Sequence, residues 1–315
     1  MDTADTPGSE HPDVNRHADP APFSETEAEG VRALWSELGL DGLIDVHTHF
    51  MPRPVMDKVW AYFDSAGPMI GREWPITYRA DEDLRVATLR AFGIRAYSSL
   101  VYPHKPDMAE WLNSWATDFA SHHSHCLHTA TFYPEESATA YVSTAIASGA
   151  KVFKSHIQVG NYSPLDPLLD GVWSQIADTQ VPVIIHCGSG PAPGTHTGPE
   201  PIEKLLKRFP SLPLIVAHMG APEYEQFLIL AERFTNVRLD TTMSFTSFFE
   251  ADAPYPRRLL PRLRDMGPKI LFGSDFPNIP YPYTEALNAV VRLDLGDDWL
   301  RGVLYENAAQ LFGLS

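Results

Sequence analysis

The sequence predicts an α/β fold, a (β/α)8 barrel of the TIM type, from two observations. Eight short apolar runs rich in β-forming residues recur along the chain, and stretches with helical periodicity separate them. The runs span residues 43–50, 94–103, 126–134, 150–158, 181–188, 212–220, 237–243 and 269–277. Several are apolar almost to their last residues, which is typical of parallel strands buried on both faces. Eight strands alternating with helices favour right-handed crossovers and closure into a barrel.

An open doubly wound sheet is the alternative fold. It fits less well because HTHFMPRP, rather than a glycine-rich phosphate-binding loop, follows the first run. Between the runs, apolar side chains at helical spacing predict helices that face the core, as in residues 108–119, 202–209 and 224–234. The interval 51–80 is longer and rich in proline and aromatic residues, which predicts an insertion lying over the carboxyl-terminal mouth of the barrel.

Composition limits the classes of partner and compartment. The 315 residues include 40 acidic and 24 basic side chains, for a net charge of −16, so neither nucleic acid nor an anionic membrane is an expected partner. No apolar run approaches the roughly 20 residues that span a bilayer, and the first residues lack the pattern of a signal peptide. Only two cysteines are present. A cytoplasmic protein is therefore expected.

Acidic residues are concentrated at the start of the chain. Residues 1–29 hold eight acidic side chains, one basic one and few large apolar ones. Such a segment buries too little surface to offset its ordering entropy. We therefore expect residues 1–29 to form a disordered acidic leader and residues 30–315 to form a single barrel domain.

Polar side chains end several of the apolar runs. In a (β/α)8 barrel this is the end at which enzymes carry their active sites. These are His47 and His49 in the first run, His186 in the fifth, His218 in the sixth and Asp275 in the eighth. Residues i and i+2 of a strand share a face, so the two imidazoles of His-Thr-His can converge on one ion. A single histidine at a strand end is more often structural. The joint pattern at one end of the barrel predicts a metal site.

The motifs IDVHTH, IIHCG, LIVAHMG and ILFGSDFP, with the closing YENAAQLFGL, resemble the amidohydrolase superfamily, and specifically its amidohydrolase-related (amidohydrolase 2) branch. The resemblance covers roughly residues 42–315, and the branch also contains metal-dependent decarboxylases and lactonases. It implies that His47, His49, His186 and Asp275 are metal ligands. It further implies that His218 contacts substrate and that Asp275 doubles as a proton shuttle.

These residue types predict a metal-dependent hydrolase, in which a metal-activated water attacks a C–N or C–O acyl bond of a small cyclic or aromatic substrate. Asp275 would accept the water's proton, and His218 would polarise the scissile carbonyl. The alternative is a non-oxidative carboxy-lyase acting on an aromatic or unsaturated acid. A metal-dependent nuclease and a non-catalytic metal-binding protein fit the sequence less well.

The expected cofactor is one divalent ion, Zn²⁺ or else Mn²⁺. Lys154 lies where binuclear members of the superfamily carry a carboxylated lysine, so a second ion is expected only if Lys154 is carboxylated. The alternative to carboxylation of Lys154 is a structural or substrate-contacting role.

The resemblance also makes a homodimer one possible assembly.

Further residues are candidates for contact with substrate. Besides Lys154, they are His156, His104 and Tyr102. Arg72 or Arg79 could meet a substrate carboxylate, although a surface or structural role is the more common one for such cations. Cys187 directly follows the predicted ligand His186 and is a candidate to contact and position that ligand without binding the metal itself. Burial as an apolar side chain is the simpler interpretation. The histidine-rich segment 121–128 precedes the third run, so it is expected at the opposite face of the barrel.

Overall fold

The computed structural model describes residues 23–314 of the chain. Within this range the strands are β1 (Leu43–Asp45), β2 (Ile94–Ser98), β3 (Cys126–Leu127), β4 (Thr129–Thr131), β5 (Val152–His156), β6 (Val183–His186), β7 (Leu214–Val216), β8 (Val237–Asp240) and β9 (Ile270–Leu271). Each falls within one of the eight predicted runs, although the hydrogen-bonded strands are shorter than the runs.

Helices fill the intervals between the strands. They are α1 (Glu25–Glu37), α2 (Arg53–Ser65), α3 (Gly67–Ile70), α4 (Glu82–Ala91), α5 (Ala109–His122), α6 (Ala138–Ala147), α7 (Ile157–Gly160), α8 (Asp170–Thr179), α9 (Pro199–Arg208), α10 (Tyr224–Arg233), α11 (Ser247–Glu250), α12 (Leu260–Asp265), α13 (Tyr283–Val291), α14 (Asp297–Arg301) and α15 (Asn307–Phe312). Over the described residues, no helix combines the length and the apolar character needed to cross a membrane.

All strand pairings are parallel, in the orders β1-β2-β3 and β4 through β9. A single residue, His128, separates β3 from β4, so these are two halves of the third barrel strand. The first and last strands also meet: Val46 N–H donates to the Phe272 carbonyl at 3.0 Å, and Thr48 forms a parallel bridge with Phe276. The described chain therefore has eight strand positions in a (β/α)8 barrel, which confirms the predicted fold class.

Alternate residues of a strand pack on opposite sides of the barrel wall. In β6, Ile184 belongs to the cluster that fills the barrel interior, whereas Val183 and Ile185 pack with the surrounding helices. Helix α15 contributes Ala308 and Phe312 to the interior cluster. Both clusters leave the carboxyl ends of the strands free to carry polar side chains.

The predicted acidic leader is partly wrong. Residues 1–22 lie outside the described residues, but Ser24 caps α1, and Ala28 and Val31 of that helix are fully buried. Glu27 accepts a hydrogen bond from the Tyr78 hydroxyl and another from the Tyr283 N–H at 2.8 Å. The acidic composition hid a helix because Glu27 has structural partners more than 50 residues away.

The predicted insertion at 51–80 forms one wall of the barrel mouth. It contains α2 and α3, and its two tryptophans both donate hydrogen bonds to one residue that follows the last strand. The indole N–H of Trp60 donates to Oδ1 of Asn278 at 3.1 Å, and that of Trp74 donates to the Asn278 carbonyl at 2.7 Å. This wall is therefore tied directly to the loop that carries Asp275.

Candidate active site

A cavity of about 810 Å³ opens at the carboxyl ends of the strands. Its floor contains His47, His49, Lys154, His156, His186, His218 and Asp275. Its walls are mainly apolar and aromatic, from Val55, Val59, Tyr62, Phe63, Trp74, Tyr102, Met108, Trp111, Met243 and Phe249. The cavity thus collects every predicted ligand, together with the predicted substrate contacts Lys154, His156, His104 and Tyr102. Cys187 is fully buried and does not line the cavity.

Three of the predicted residues converge at the floor. Ligand-capable atoms of His47, His218 and Asp275 all lie within 4.8 Å of one another, and all three residues are buried. Oδ1 of Asp275 lies 2.9 Å from Nε2 of His49 and 3.5 Å from Nε2 of His47. The carboxylate from the eighth strand position therefore faces both histidines of the His-Thr-His motif.

The other nitrogen of each of these rings has a fixed partner. Nδ1 of His47 lies 2.9 Å from Oδ2 of Asp240, and Nδ1 of His49 lies 2.8 Å from the Leu100 carbonyl. Nδ1 of His218 lies 3.1 Å from the Thr242 carbonyl. Because these oxygens accept hydrogen bonds, neutral His47 and His218 carry their proton on Nδ1 and present an electron pair at Nε2, as metal-binding histidines do. His49 instead has an acceptor oxygen at each nitrogen, the Leu100 carbonyl and Oδ1 of Asp275.

His186 borders this cluster without joining it. Its Nε2 lies 3.1 Å from the Gly190 carbonyl, so the neutral ring has its electron pair at Nδ1. The ring stacks on His156, with centroids 4.1 Å apart, and its centroid is 4.7 Å from that of His218. Its role as a ligand stays a prediction, and ligation through Nε2 would require loss of the bond to Gly190.

Burial sets the charge states at the floor. It lowers the pKa of His47 and His218 to about 4 and that of His186 to about 3, so these rings are neutral at pH 7. Burial opposes ionisation of Asp275 as well. The hydrogen bond and charge of His49 outweigh it and hold the pKa of Asp275 well below its usual value. Neutral imidazoles beside an ionised carboxylate are the protonation states that metal binding requires.

Lys154 is fully buried, and its Nζ lies 3.1 Å from Nε2 of His47. Burial lowers the pKa of its ammonium group to about 8, which eases conversion to the neutral amine. Its carboxylation stays a prediction. Arg72 and Arg79 do not line the cavity and have carboxylate partners, at 2.8 Å in Asp252 and 2.6 Å in Asp64.

Asp240 is a site residue that the sequence analysis missed. Besides His47, it accepts hydrogen bonds from the backbone N–H groups of His218 at 2.9 Å and Thr242 at 3.1 Å. Burial would raise the pKa of this carboxyl, but the charge of His47 and its hydrogen bond lower it to about 2. Its signal in the sequence was one acid at the end of the apolar run VRLD, at the level of the other site residues.

The backbone at the floor adopts uncommon conformations. Asp275 has φ of 76° and His218 has φ of 56°, in the left-handed region that costs side-chain-bearing residues roughly 1 kcal/mol or more. Nearby, a Cβ atom on Gly273 would lie 2.7 Å from Cβ of His47 and would also overlap Oγ1 of Thr242. The glycine of GSDFP thus permits the last strand to approach His47 closely.

The chain is similar to known proteins in its sequence profile and in its fold. The sequence profile of the amidohydrolase family matches residues 44–314. A search of curated protein sequences gave no significant match. Similar solved structures include an uncharacterised TIM-barrel protein from Bordetella bronchiseptica, at 18% identity, 87% coverage of this chain, 99% of that chain and a TM-score of 0.71.

Two further similar structures are of proteins with a named family or activity. A putative amidohydrolase from Staphylococcus aureus has 13% identity, covering 87% of this chain and all of that one with a TM-score of 0.60. A dihydroorotase from Campylobacter jejuni has 14% identity, covering 88% and 84% with a TM-score of 0.56. At these identities the structures establish the barrel fold alone. On the profile match over residues 44–314, the chain belongs to the amidohydrolase family.

Proposed function

We propose that this protein is a metal-dependent hydrolase that cleaves a C–N or C–O acyl bond of a small molecule. The observation that carries the proposal is the convergence of His47, His218 and Asp275 at the floor of the large cavity. Membership of a metal-dependent family and an enzyme-like pocket at the carboxyl ends of barrel strands support it.

The donor set fits a divalent ion. Nε2 of His47 and His218 and Oδ1 of Asp275 would hold it, because the Nδ1 partners of the two rings leave their Nε2 atoms free of protons. Nε2 of His49 would join them where the ion takes the place of its hydrogen bond to Asp275. Imidazole and carboxylate ligands suit Zn²⁺, with Mn²⁺ as the alternative. Such an ion supplies Lewis-acid chemistry, lowering the pKa of water and polarising a carbonyl oxygen. His186 completes the set if its ring turns away from Gly190.

Asp275 is the proposed general base and acid. Its carboxylate is ionised at neutral pH and lies at the floor, where an attacking water would enter, so it can accept the water's proton. The same carboxyl can then return the proton to the leaving nitrogen or oxygen. Its Oδ1 lies 2.9 Å from Nε2 of His49, so these two atoms are placed to share one ion and Oδ2 is left to carry the proton.

His156 fits the role of hydrogen-bond donor to a substrate oxygen better than His218. The backbone N–H of Val159 donates to Nδ1 of His156 at 3.3 Å, so the neutral ring carries its proton on Nε2. Neutral His218 instead carries its proton on Nδ1 and cannot donate from Nε2. Polarisation of a carbonyl by His218 would therefore require a second proton on a ring whose pKa is about 4.

Metal analysis and a substrate screen test the proposal together. Protein produced in minimal medium should contain about one ion per chain, and turnover of lactones or cyclic amides should require reloading after chelation. Asp275→Asn should abolish turnover, whereas Asp178→Asn on the outer helix α8 should not change it. Full turnover in the chelated protein, or in a His47→Ala/Asp275→Asn double variant, would overturn the proposal.

A carboxy-lyase is the second candidate, and the aromatic walls of the cavity favour it because they suit a flat aromatic acid. Here Asp275 or a histidine would protonate the carbon that loses the carboxyl group. Turnover in ¹⁸O-labelled water separates the two reactions. Hydrolysis places the label in the product, whereas decarboxylation releases carbon dioxide without incorporating water.

A further inference from the structure

Two lysines line the mouth of the cavity without carboxylate partners. Lys58 lies on α2 and Lys105 lies in the loop after β2, so they approach the mouth from different elements. Within the described part of the chain, neither ammonium group has a carboxylate oxygen within 4.0 Å. By contrast, Lys204 and Lys207 on α9 pair with Glu200 and Glu203 at 2.7 Å and 3.0 Å.

The charge at the mouth is opposite to that of the chain as a whole. Acidic residues outnumber basic ones by 40 to 24 in the sequence. Around the cavity the charged residues are Lys58, Lys105, Lys154, Asp107 and Asp275. Asp275 and Lys154 belong to the floor, which leaves two lysines and one aspartate at the mouth.

The two lysines share a neighbour. Lys58, His104 and Lys105 all line the cavity, and the charges of the two lysines add to partial burial in lowering the pKa of His104. His104 precedes Lys105 in the loop after β2 and lines the cavity together with both lysines. The mouth therefore presents two cations around one side of the opening.

Exposed apolar surface lies beside these cations. Tyr62 of α2, Trp111 of α5 and Val159 of α7 line the cavity, yet they remain 50%, 49% and 40% exposed. Large exposed apolar side chains at a pocket are typical of surfaces that a ligand covers. Apolar walls and a cationic mouth together match a ligand with an apolar body and an anionic end.

We propose that the cavity takes elongated anionic amphiphiles, with the apolar body against the aromatic walls and the anionic group at the mouth beside Lys58 and Lys105. This inference rests on the proposed function and specifies its substrate class. Binding the anion at the mouth leaves the opposite end of the molecule at the floor, where the reacting bond would lie. It also keeps the anion partly hydrated, which avoids most of the cost of burying a charge.

A pair of matched dyes tests this directly. The probes are 8-anilinonaphthalene-1-sulfonate and N-phenyl-1-naphthylamine, which share their rings and differ by the sulfonate. Lys58→Gln/Lys105→Gln should weaken binding of the sulfonate about three- to thirtyfold and change binding of the neutral dye less than twofold. It should also reduce the salt dependence of sulfonate binding.

Two further variants complete the experiment. Lys204→Gln/Lys207→Gln makes the same change in net charge on α9 and should leave both affinities unchanged. Trp111→Ala should weaken both dyes, because its indole lines the cavity. Equal weakening by the two double-lysine variants, or unchanged binding of both dyes in Trp111→Ala, would overturn the inference. Because dye binding needs no turnover, it can fail or succeed independently of the hydrolase assignment.

Discussion

His47 at the end of the first strand position and Asp240 at the end of the seventh are joined by a hydrogen bond of 2.9 Å between Nδ1 and Oδ2. Asp240 also receives the backbone N–H of His218, so one buried carboxylate positions two residues of the candidate metal cluster. This carboxylate makes no contact with the cavity itself, and its effect on a bound ion would pass through the histidines.

Asp240→Asn should lower metal affinity about 10- to 100-fold, the usual effect of losing the hydrogen-bond partner of a ligating histidine. The amide no longer supplies a charge that stabilises the Nδ1–H form of His47. Competition with a fluorescent chelator measures the affinity. Asp178→Asn, the same chemical change on the exposed side of α8, is the control and should have no effect. Equal affinities in both variants would show that Asp240 does not position His47.

Removal of metal should lower thermal stability. An ion present at about a hundredfold excess over its Kd stabilises the folded state by about 2.7 kcal/mol, or roughly 4–5 °C in Tm for a domain of this size. Calorimetry before and after chelation measures the shift. In His47→Ala/Asp275→Ala the Tm should no longer respond to chelator, and a response of the original size would contradict the assignment of these two ligands.

Gly273→Ala should destabilise the fold by roughly 1–3 kcal/mol and reduce metal content, because the new methyl group would overlap His47 and Thr242. Urea unfolding and metal analysis of the same samples separate the two effects. Gly30→Ala on α1, where a Cβ would meet its nearest neighbour at 3.7 Å, should be tolerated. A Gly273→Ala protein with normal stability and metal content would exclude this close approach.

Asn278→Ala should free the wall formed by α2. It leaves the buried indole N–H of Trp60 without an acceptor, at a cost of roughly 1–3 kcal/mol, and amide exchange over residues 53–65 should accelerate. Trp60→Phe added to Asn278→Ala removes the unpaired donor as well. The double variant should therefore lose less stability than the sum of the single variants, and strict additivity would refute the coupling.

Both cysteines should resist alkylation in the folded protein. Burial raises the pKa of Cys126 to about 12 and that of Cys187 further, so almost no thiolate exists at pH 8. Iodoacetamide should label the native chain at least a hundredfold more slowly than the chain in urea. The same raised pKa values mean that folded stability falls as pH rises above about 8.5, the unfolded value. Rapid native labelling at pH 8 would contradict this.

The sequence was sufficient for the strand positions and for the floor of the cavity. Apolar runs mark buried parallel strands directly, and His47, His49, His186, His218 and Asp275 each end a run, so their common level followed from the fold class. The structure brings all five to one cavity. Which nitrogen each ring presents could not be predicted, because that depends on acceptors supplied by other strands.

Long-range polar partners decide roles that local patterns leave open. Composition alone made Glu27 one more acid in a solvated leader, yet its Oε1 accepts hydrogen bonds from the Tyr78 hydroxyl and the Tyr283 N–H. Arg72 and Arg79 had two interpretations, substrate contact or a structural role, and their ion pairs with Asp252 and Asp64 agree with the structural one. Such pairings join segments that no local pattern connects.

The separation between the strand ends and the wall formed by residues 51–80 has a practical consequence for redesign. The floor, which would carry the reaction, and the wall, which would choose the ligand, come from different stretches of sequence. Exchanging the lining side chains of α2, such as Val55 or Tyr62, should alter selectivity while leaving the reactive groups in place. Asn278 connects the wall to the loop that carries Asp275 through its hydrogen bonds with Trp60 and Trp74. Engineering of the wall should therefore keep these two tryptophans.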